Sequence, residues 1–190
     1  MTLQKLISSS RSYRSFDPNV HISRDTLASF VECARLSPSS RNLQVLKFRL
    51  VHTEKECELV LPLTRWAGLI KDETIPPIGH EPTAYVVICF DTTLADSLAP
   101  FQRDVGICAQ SIMLAATEQG FGGCMIGSFH AANLQGALSI PSHLLPQLVL
   151  ALGKPDETVK LCAAENENVA YYRANGVHYV PKRALEEIIF

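Results

Sequence analysis

The chain has 190 residues, 47% of them hydrophobic, and a formal net charge of −2 at pH 7. That length and apolar content suit one domain with a single core. The slightly acidic balance, with a pI near 6.3, argues against a nucleic-acid-binding surface, which shows as a basic domain with clustered Lys and Arg.

A first helix is expected over about Thr2 to Ser8, and a second from Ser23, whose hydroxyl caps free N–H groups while Leu27, Phe30, Val31 and Ala34 form the apolar stripe. Pro38 ends it. Lys47 to His52 and Ala84 to Phe90 read as strands, the second almost wholly apolar and therefore buried on both faces. Between them lie a short helix, about Lys55 to Leu61, and a loop holding Trp66-Ala67-Gly68 and Pro76-Pro77-Ile78-Gly79. Asp104 is positioned to cap an apolar helix running through Val105, Cys108, Ile112, Ala115 and Ala116 and stopping at Gly120. Gly-rich backbone follows. Leu148 to Leu152 is a further strand, closed by Gly153-Lys154-Pro155, and the tail from Tyr171 to Phe190 is expected to end in a short amphipathic helix.

The longest apolar run, Ala84 to Phe90, is too short to span a bilayer, and Met1 to Ser8 lacks the apolar region of a secretory signal, so a cytoplasmic location without membrane contact is expected. The six cysteines include no C-x-x-C pair and read as free thiols, mostly buried. The six histidines are scattered, with none at i,i+4, and no metal site is expected.

Three remote clusters carry cations and hydroxyls: Arg11-Ser12-Tyr13-Arg14, Pro38-Ser39-Ser40-Arg41-Asn42-Leu43-Gln44 and Pro181-Lys182-Arg183. In a chain of low net charge, this pattern suggests convergence on one small anion, with phosphate the best match to several charge-assisted donors. Singly, each cation reads as a solvated surface charge, and Ser37-Pro38-Ser39 as an ordinary helix-ending turn. The stretch from Gly120 to Gly127 is not a dinucleotide fingerprint, because its glycines follow a helix instead of opening one. A helix stop and tight turn account for Gly120 and one neighbour. The remaining glycines let backbone approach a flat ligand closely.

In this order, five segments resemble the nitroreductase-like FMN-dependent oxidoreductases: Arg-Ser-x-Arg-x-Phe at Arg11 to Phe16, Pro-Ser-Ser-x-Asn-x-Gln at Pro38 to Gln44, Gly-x-Gly-Gly-Cys-Met-Ile-Gly at Gly120 to Gly127, Ala-Leu-Gly-Lys-Pro at Ala151 to Pro155, and Val-Pro-Lys-Arg at Val180 to Arg183. Trp66-Ala67-Gly68 and Glu81 to Tyr85 are similar to a compact branch of that family. The resemblance implies an α+β fold with a central, mostly antiparallel sheet flanked by helices, built as a homodimer with FMN at the interface.

It further implies that Arg11 and Ser12 hold the FMN phosphate, that Lys182 and Arg183 close around it, and that Arg14 lies by the flavin pyrimidine edge, where a cation stabilises reduced-ring charge. Pro38, Ser39, Ser40, Asn42 and Gln44 would reach the partner subunit's flavin. Met125 and Ile126 would line the ring, with backbone N–H groups of Gly127 and Ser128 facing it. Electrons would pass by a ping-pong mechanism from NADH or NADPH, through FMN, to an electron-poor small molecule such as a nitroaromatic, quinone, enone or halogenated ring. No side-chain nucleophile or general base is required. A flavin carrier or sensor without turnover, and a flavin-fragmenting enzyme, share the same implied site.

The chain departs from the family pattern at Val45, where many relatives have proline, and at Leu46, where an aromatic is usual. After Trp66-Ala67-Gly68, relatives often have an acid followed by an aromatic, whereas Asp72 is followed here by Glu73. That segment is expected to border the substrate opening.

Overall fold

The computed structural model describes residues 1–70 and 73–190, so Asp72 lies outside the described residues. Four strands, β1 (Leu46–Val51), β2 (Ala84–Asp91), β3 (Gly122–Ile126) and β4 (Leu144–Gly153), form a sheet in the order β1-β2-β4-β3, antiparallel throughout. Helices α2 (Arg24–Arg35) and α4 (Gln102–Glu118) cover one face, and α3 (Glu54–Val60) and α5 (Ala131–Ala137) the other. The short helix α1 is Leu3–Ser9. An α+β fold with a helix-flanked antiparallel sheet is therefore what the chain adopts.

The period of two along a strand builds both halves of the core at once. Along β2, Val86 and Ile88 pack with Leu27 and Phe30 of α2 and Ile112 of α4, while Tyr85, Val87 and Cys89 pack with Cys57 and Val60 of α3 and Leu134 of α5. This is why the strand reads as continuously apolar. On β4, Leu150 and Leu152 join the first cluster and Val149 and Ala151 the second.

The expected cap at Ser23 forms, its hydroxyl accepting from the Thr26 N–H at 3.1 Å, a contact worth about 1 kcal/mol. Thr2 lies outside α1 and caps it, accepting from the Lys5 N–H at 3.3 Å. Asp104 does not cap α4. A 3-10 turn at Ala99–Phe101 containing Pro100 leads into the helix, which starts at Gln102 and leaves Asp104 inside its first turn. There the buried carboxylate accepts the Ser40 N–H at 2.9 Å, tying the loop after α2 to α4. The helix ends as expected, with Gly120 at φ +79°, the left-handed conformation that closes a helix.

The C-terminal region differs most from expectation. Strands β5 (Thr158–Ala163), β6 (Tyr172–Ala174) and β7 (Val177–Lys182) form a second sheet, ordered β5-β7-β6, in which β5 and β7 are parallel. Asn175 and Gly176, both at positive φ, form a two-residue hairpin turn between β6 and β7. The expected terminal helix is only a 3-10 turn, Leu185–Glu187. Tyr172 and Tyr179 pair across the hairpin with stacked rings 5.1 Å apart.

The segment after α1 runs beside β3, with a bridge between Ser12 and Gly123 and the Tyr13 N–H donating to the Gly123 carbonyl at 2.9 Å. A Cβ built on Gly123 would overlap the Ala151 carbonyl oxygen and stand 2.9 Å from Leu152 Cδ2. Gly123→Ala is expected to destabilise the fold by about 1–3 kcal/mol through overpacking, read as a lower chemical-denaturation midpoint. An unchanged midpoint would contradict this packing.

Candidate functional site

A cavity of about 320 Å³ opens where the residue 10–14 segment, α4, β3 and β7 meet, and Arg11, Ser12, Arg14, Met125 and Lys182 all line it. Two of the three clusters distant in sequence therefore converge. Met125 supplies an apolar surface, being 38% exposed. Ile126, one residue on, is buried in the opposite half of the core with Leu134, because adjacent strand residues face opposite ways. Its side chain does not line this cavity.

Arg11 donates through Nη2 to the Ile7 carbonyl at 2.7 Å, which anchors it on α1, while its Nε is buried without a partner. Burial lowers its pKa, which for a guanidinium leaves the charge in place. Arg14 is buried: its Nη1 reaches the Ser12 carbonyl and His178 Nε2, both at 3.3 Å, and its guanidinium carbon lies 5.1 Å from the centre of the Tyr171 ring. Its backbone N–H donates to Glu157. Glu157 also accepts from Arg173 at 2.8 Å, and Arg173 pairs with Glu73 at 2.5 Å. Lys182 comes to the rim from the end of β7. Arg183 is not among the residues lining this cavity, and its exposed side chain pairs with Glu187 at 3.4 Å.

Sequence reasoning missed Tyr171 and His178, which also line the cavity. His178 is 2% exposed. Its pKa is pushed down to about 4, first by burial and then by the charges of Arg14 and Arg173, with Glu73 acting weakly the other way. The signal available was a histidine alternating with apolar residues on a strand. The strand itself went unrecognised.

Among the described residues, four buried side-chain polar atoms lack a partner, and three of them, Arg11 Nε, Arg14 Nε and His178 Nδ1, belong to residues lining this one cavity. Leaving a buried donor unmatched costs roughly 1–3 kcal/mol, so such a concentration of unmet donors suits a ligand rich in acceptor atoms or negative charge. The fit to a phosphate-bearing, carbonyl-bearing ring compound such as FMN is good in charge, donor supply and apolar surface.

The third cluster lies apart in the single chain. Ser39 and Gln44 line a separate groove of about 400 Å³ between α2 and β1. Arg41, Asn42 and Gln44 have φ near +50°, an arrangement costly outside glycine and concentrated at functional loops. The loop is held by Asp104 to Ser40 N, by Ser39 Oγ to Gln44 N at 3.3 Å, and by Gln44 Nε2 to the Asn42 carbonyl at 3.3 Å. Pro38 and Asn42 are exposed at its bend. Gly127 and Ser128 continue β3 beyond the cavity, both exposed, with the Ser128 carbonyl accepting the Arg65 N–H at 2.9 Å. The Trp66-Ala67-Gly68 segment reaches the cavity wall indirectly: the Leu69 N–H lies 3.4 Å from the Tyr171 hydroxyl. Of the four buried thiols, Cys57, Cys89 and Cys108 are pushed up to about 11 or 12 by burial, which leaves them protonated and unreactive near neutrality.

The Nitroreductase family profile matches residues 7–154. A Bacillus subtilis protein named "Putative NAD(P)H nitroreductase YodC" is 24% identical over 170 residues, covering 75% of this chain and 84% of its own. A solved FMN-dependent nitroreductase of Clostridium difficile R20291 superposes with a TM-score of 0.67 at 21% identity, covering 87% of this chain and 92% of that one. A solved structure from Exiguobacterium sibiricum 255-15, described as a "putative nitroreductase in complex with FMN", gives 0.66 at 19% identity over 83% and 90% of the two chains.

The state of His178 makes the fold acid-sensitive. Unfolded, the imidazole takes up a proton near pH 6.5, whereas folded it refuses one until about pH 4, so stability is full above that window and falls as pH drops through it. Denaturation at pH 7 and pH 4.5 should show the wild type losing on the order of 2 kcal/mol more than His178→Gln. Equal losses would contradict a buried neutral imidazole. The profile match over residues 7–154 places the chain in the nitroreductase family.

Proposed function

We propose that the protein is an FMN-dependent oxidoreductase that takes electrons from NADH or NADPH and passes them, by a ping-pong mechanism, to an electron-poor small molecule. The observation carrying this reading is the cavity where Arg11, Arg14 and Lys182 meet three unmatched buried donors beside Met125. FMN, when bound, supplies the two-electron chemistry, so no side-chain nucleophile is invoked.

In this reading Arg11, fixed through the Ile7 carbonyl, presents its remaining donors to the phosphate with Ser12, and Lys182 adds a point charge at the rim. Arg14 cannot swing freely, because Ser12, His178 and Tyr171 hold its guanidinium. A fixed, buried cation stabilises negative charge developing beside it more than a solvated one does, since no solvent reorganisation is needed. Met125 offers an apolar surface to a flat ring. Gly127 leaves open space where a Cβ would stand, giving close access to its backbone N–H and that of Ser128.

The reading takes residues 1–190 as one domain acting as a homodimer. Its support is the strained, exposed Pro38–Gln44 loop: Pro38, Ser39, Ser40, Asn42 and Gln44 lie outside the cavity of their own chain and are available to a flavin held by a second copy. Arg183, engaged with Glu187, would join the phosphate only by exchanging that exposed ion pair, a contact worth less than about 1 kcal/mol.

Two measurements test this reading. Purified protein loaded with FMN should lose its oxidised flavin absorbance on anaerobic addition of NADH or NADPH and regain it with a nitroaromatic or quinone. Absorbance that never bleaches would favour a carrier, and loss in air without recovery would favour flavin destruction. Arg11→Ala should weaken FMN binding by about 1.5–3 kcal/mol, the range for hydrogen bonds to a charged group. Unchanged affinity would remove Arg11 from the phosphate site.

A further inference from the structure

Resting on the flavin reading above, we propose that His178 is a further ligand-binding residue of the cavity: a neutral imidazole, fixed by Arg14 as the Nδ1–H tautomer, that donates this N–H to an acceptor atom of the bound flavin.

The tautomer follows from donor bookkeeping. Arg14 Nη1 stands 3.3 Å from His178 Nε2, and a guanidinium can only donate, so Nε2 must accept and carries no hydrogen. A neutral imidazole then bears its single N–H on Nδ1. The imidazolium would set N–H against N–H and cation against cation in a buried place.

Nδ1 is buried and has no partner among the described residues, although His178 lines the cavity. Among the described residues no carboxylate accepts from it. Glu73 and Glu157 are both engaged by Arg173, and Glu157 also receives the Arg14 backbone N–H. Of its close neighbours, Arg14 can only donate, and the Tyr171 ring lies tilted 5.3 Å away with its hydroxyl accepting the Leu69 N–H. The ring is also well placed. His178 sits at the centre of the second sheet, paired with Val159 of β5 on one side and Arg173 of β6 on the other, so its position is set by two strands. His178 Nδ1 and Arg14 Nε are both without a partner among the described residues, and both residues line the same cavity.

The test compares FMN dissociation constants of wild type, His178→Leu, His178→Asn and His178→Gln, each checked for folding. Asn can return an amide N–H near the Nδ1 position, whereas Gln, one methylene longer, returns an acceptor near Nε2 for Arg14. The proposal expects His178→Leu to weaken FMN binding about three- to tenfold, the worth of one ordinary hydrogen bond, and His178→Asn to restore most of it. In wild-type protein, the His178 Nδ1–H proton should become visible or markedly slower to exchange in 15N-resolved NMR when FMN is added. Rescue by Gln but not Asn, with no change in that proton, would leave His178 only as a support for Arg14 and overturn the donor role. So would unchanged affinity in His178→Leu. If His178→Leu does not fold, the Asn and Gln variants and the wild-type NMR signal still decide the matter. Wild-type protein that binds no FMN at all would instead remove the functional reading on which the donor's ligand depends.

Discussion

Everything at the site depends on how the buried guanidinium of Arg14 is held. A charge removed from water is tolerated only where hydrogen bonds and neighbouring charges replace its solvation. Here the replacement comes from the Ser12 carbonyl, His178 of β7 and the Tyr171 face, while Glu157, just before the second sheet, holds the Arg14 backbone N–H. Satisfying Arg14 thus requires the N-terminal segment and the C-terminal strands to meet. That meeting also brings Arg11 and Lys182 to one cavity.

The main sheet makes the meeting possible. Ser12 and Tyr13 pair with the Gly123 backbone while Gly122 leaves room for the Tyr13 ring, and the alternation along β3 turns Met125 toward the cavity while Cys124 and Ile126 enter the core. On the far side, Asp104 joins α4 to the loop after α2 through Ser40. One long helix therefore braces both polar clusters: its residues Gln110 and Met113 face the cavity, and its first turn fixes the loop.

Much of the main sheet was legible in the sequence. The apolar run at β2, the Ser23 cap and the Gly120 stop each carry a local signal strong enough to survive without tertiary information. Asp104 shows the limit of local reading: an acidic residue before an apolar helix resembles a cap, yet the preceding Pro100 turn starts the helix earlier and long-range burial gives the carboxylate another task. Strands β5 to β7 were not legible, because they pair across the chain terminus and bury few residues, leaving weak alternation. For the same reason the alternation around His178 is too weak to mark it as a site residue. Its partner Arg14 lies 164 positions away, and only the fold makes the two neighbours.

A crystal structure of the protein grown with FMN would show whether, as proposed, the cavity built by Arg11, Arg14, Lys182 and Met125 holds it. The expected result is flavin in that cavity, its phosphate at Arg11 and Lys182, its ring over Met125, and the Pro38–Gln44 loop of a second copy alongside. Flavin bound in the α2–β1 groove or elsewhere on the chain, with the Arg11 and Arg14 donors still unmatched, would contradict it.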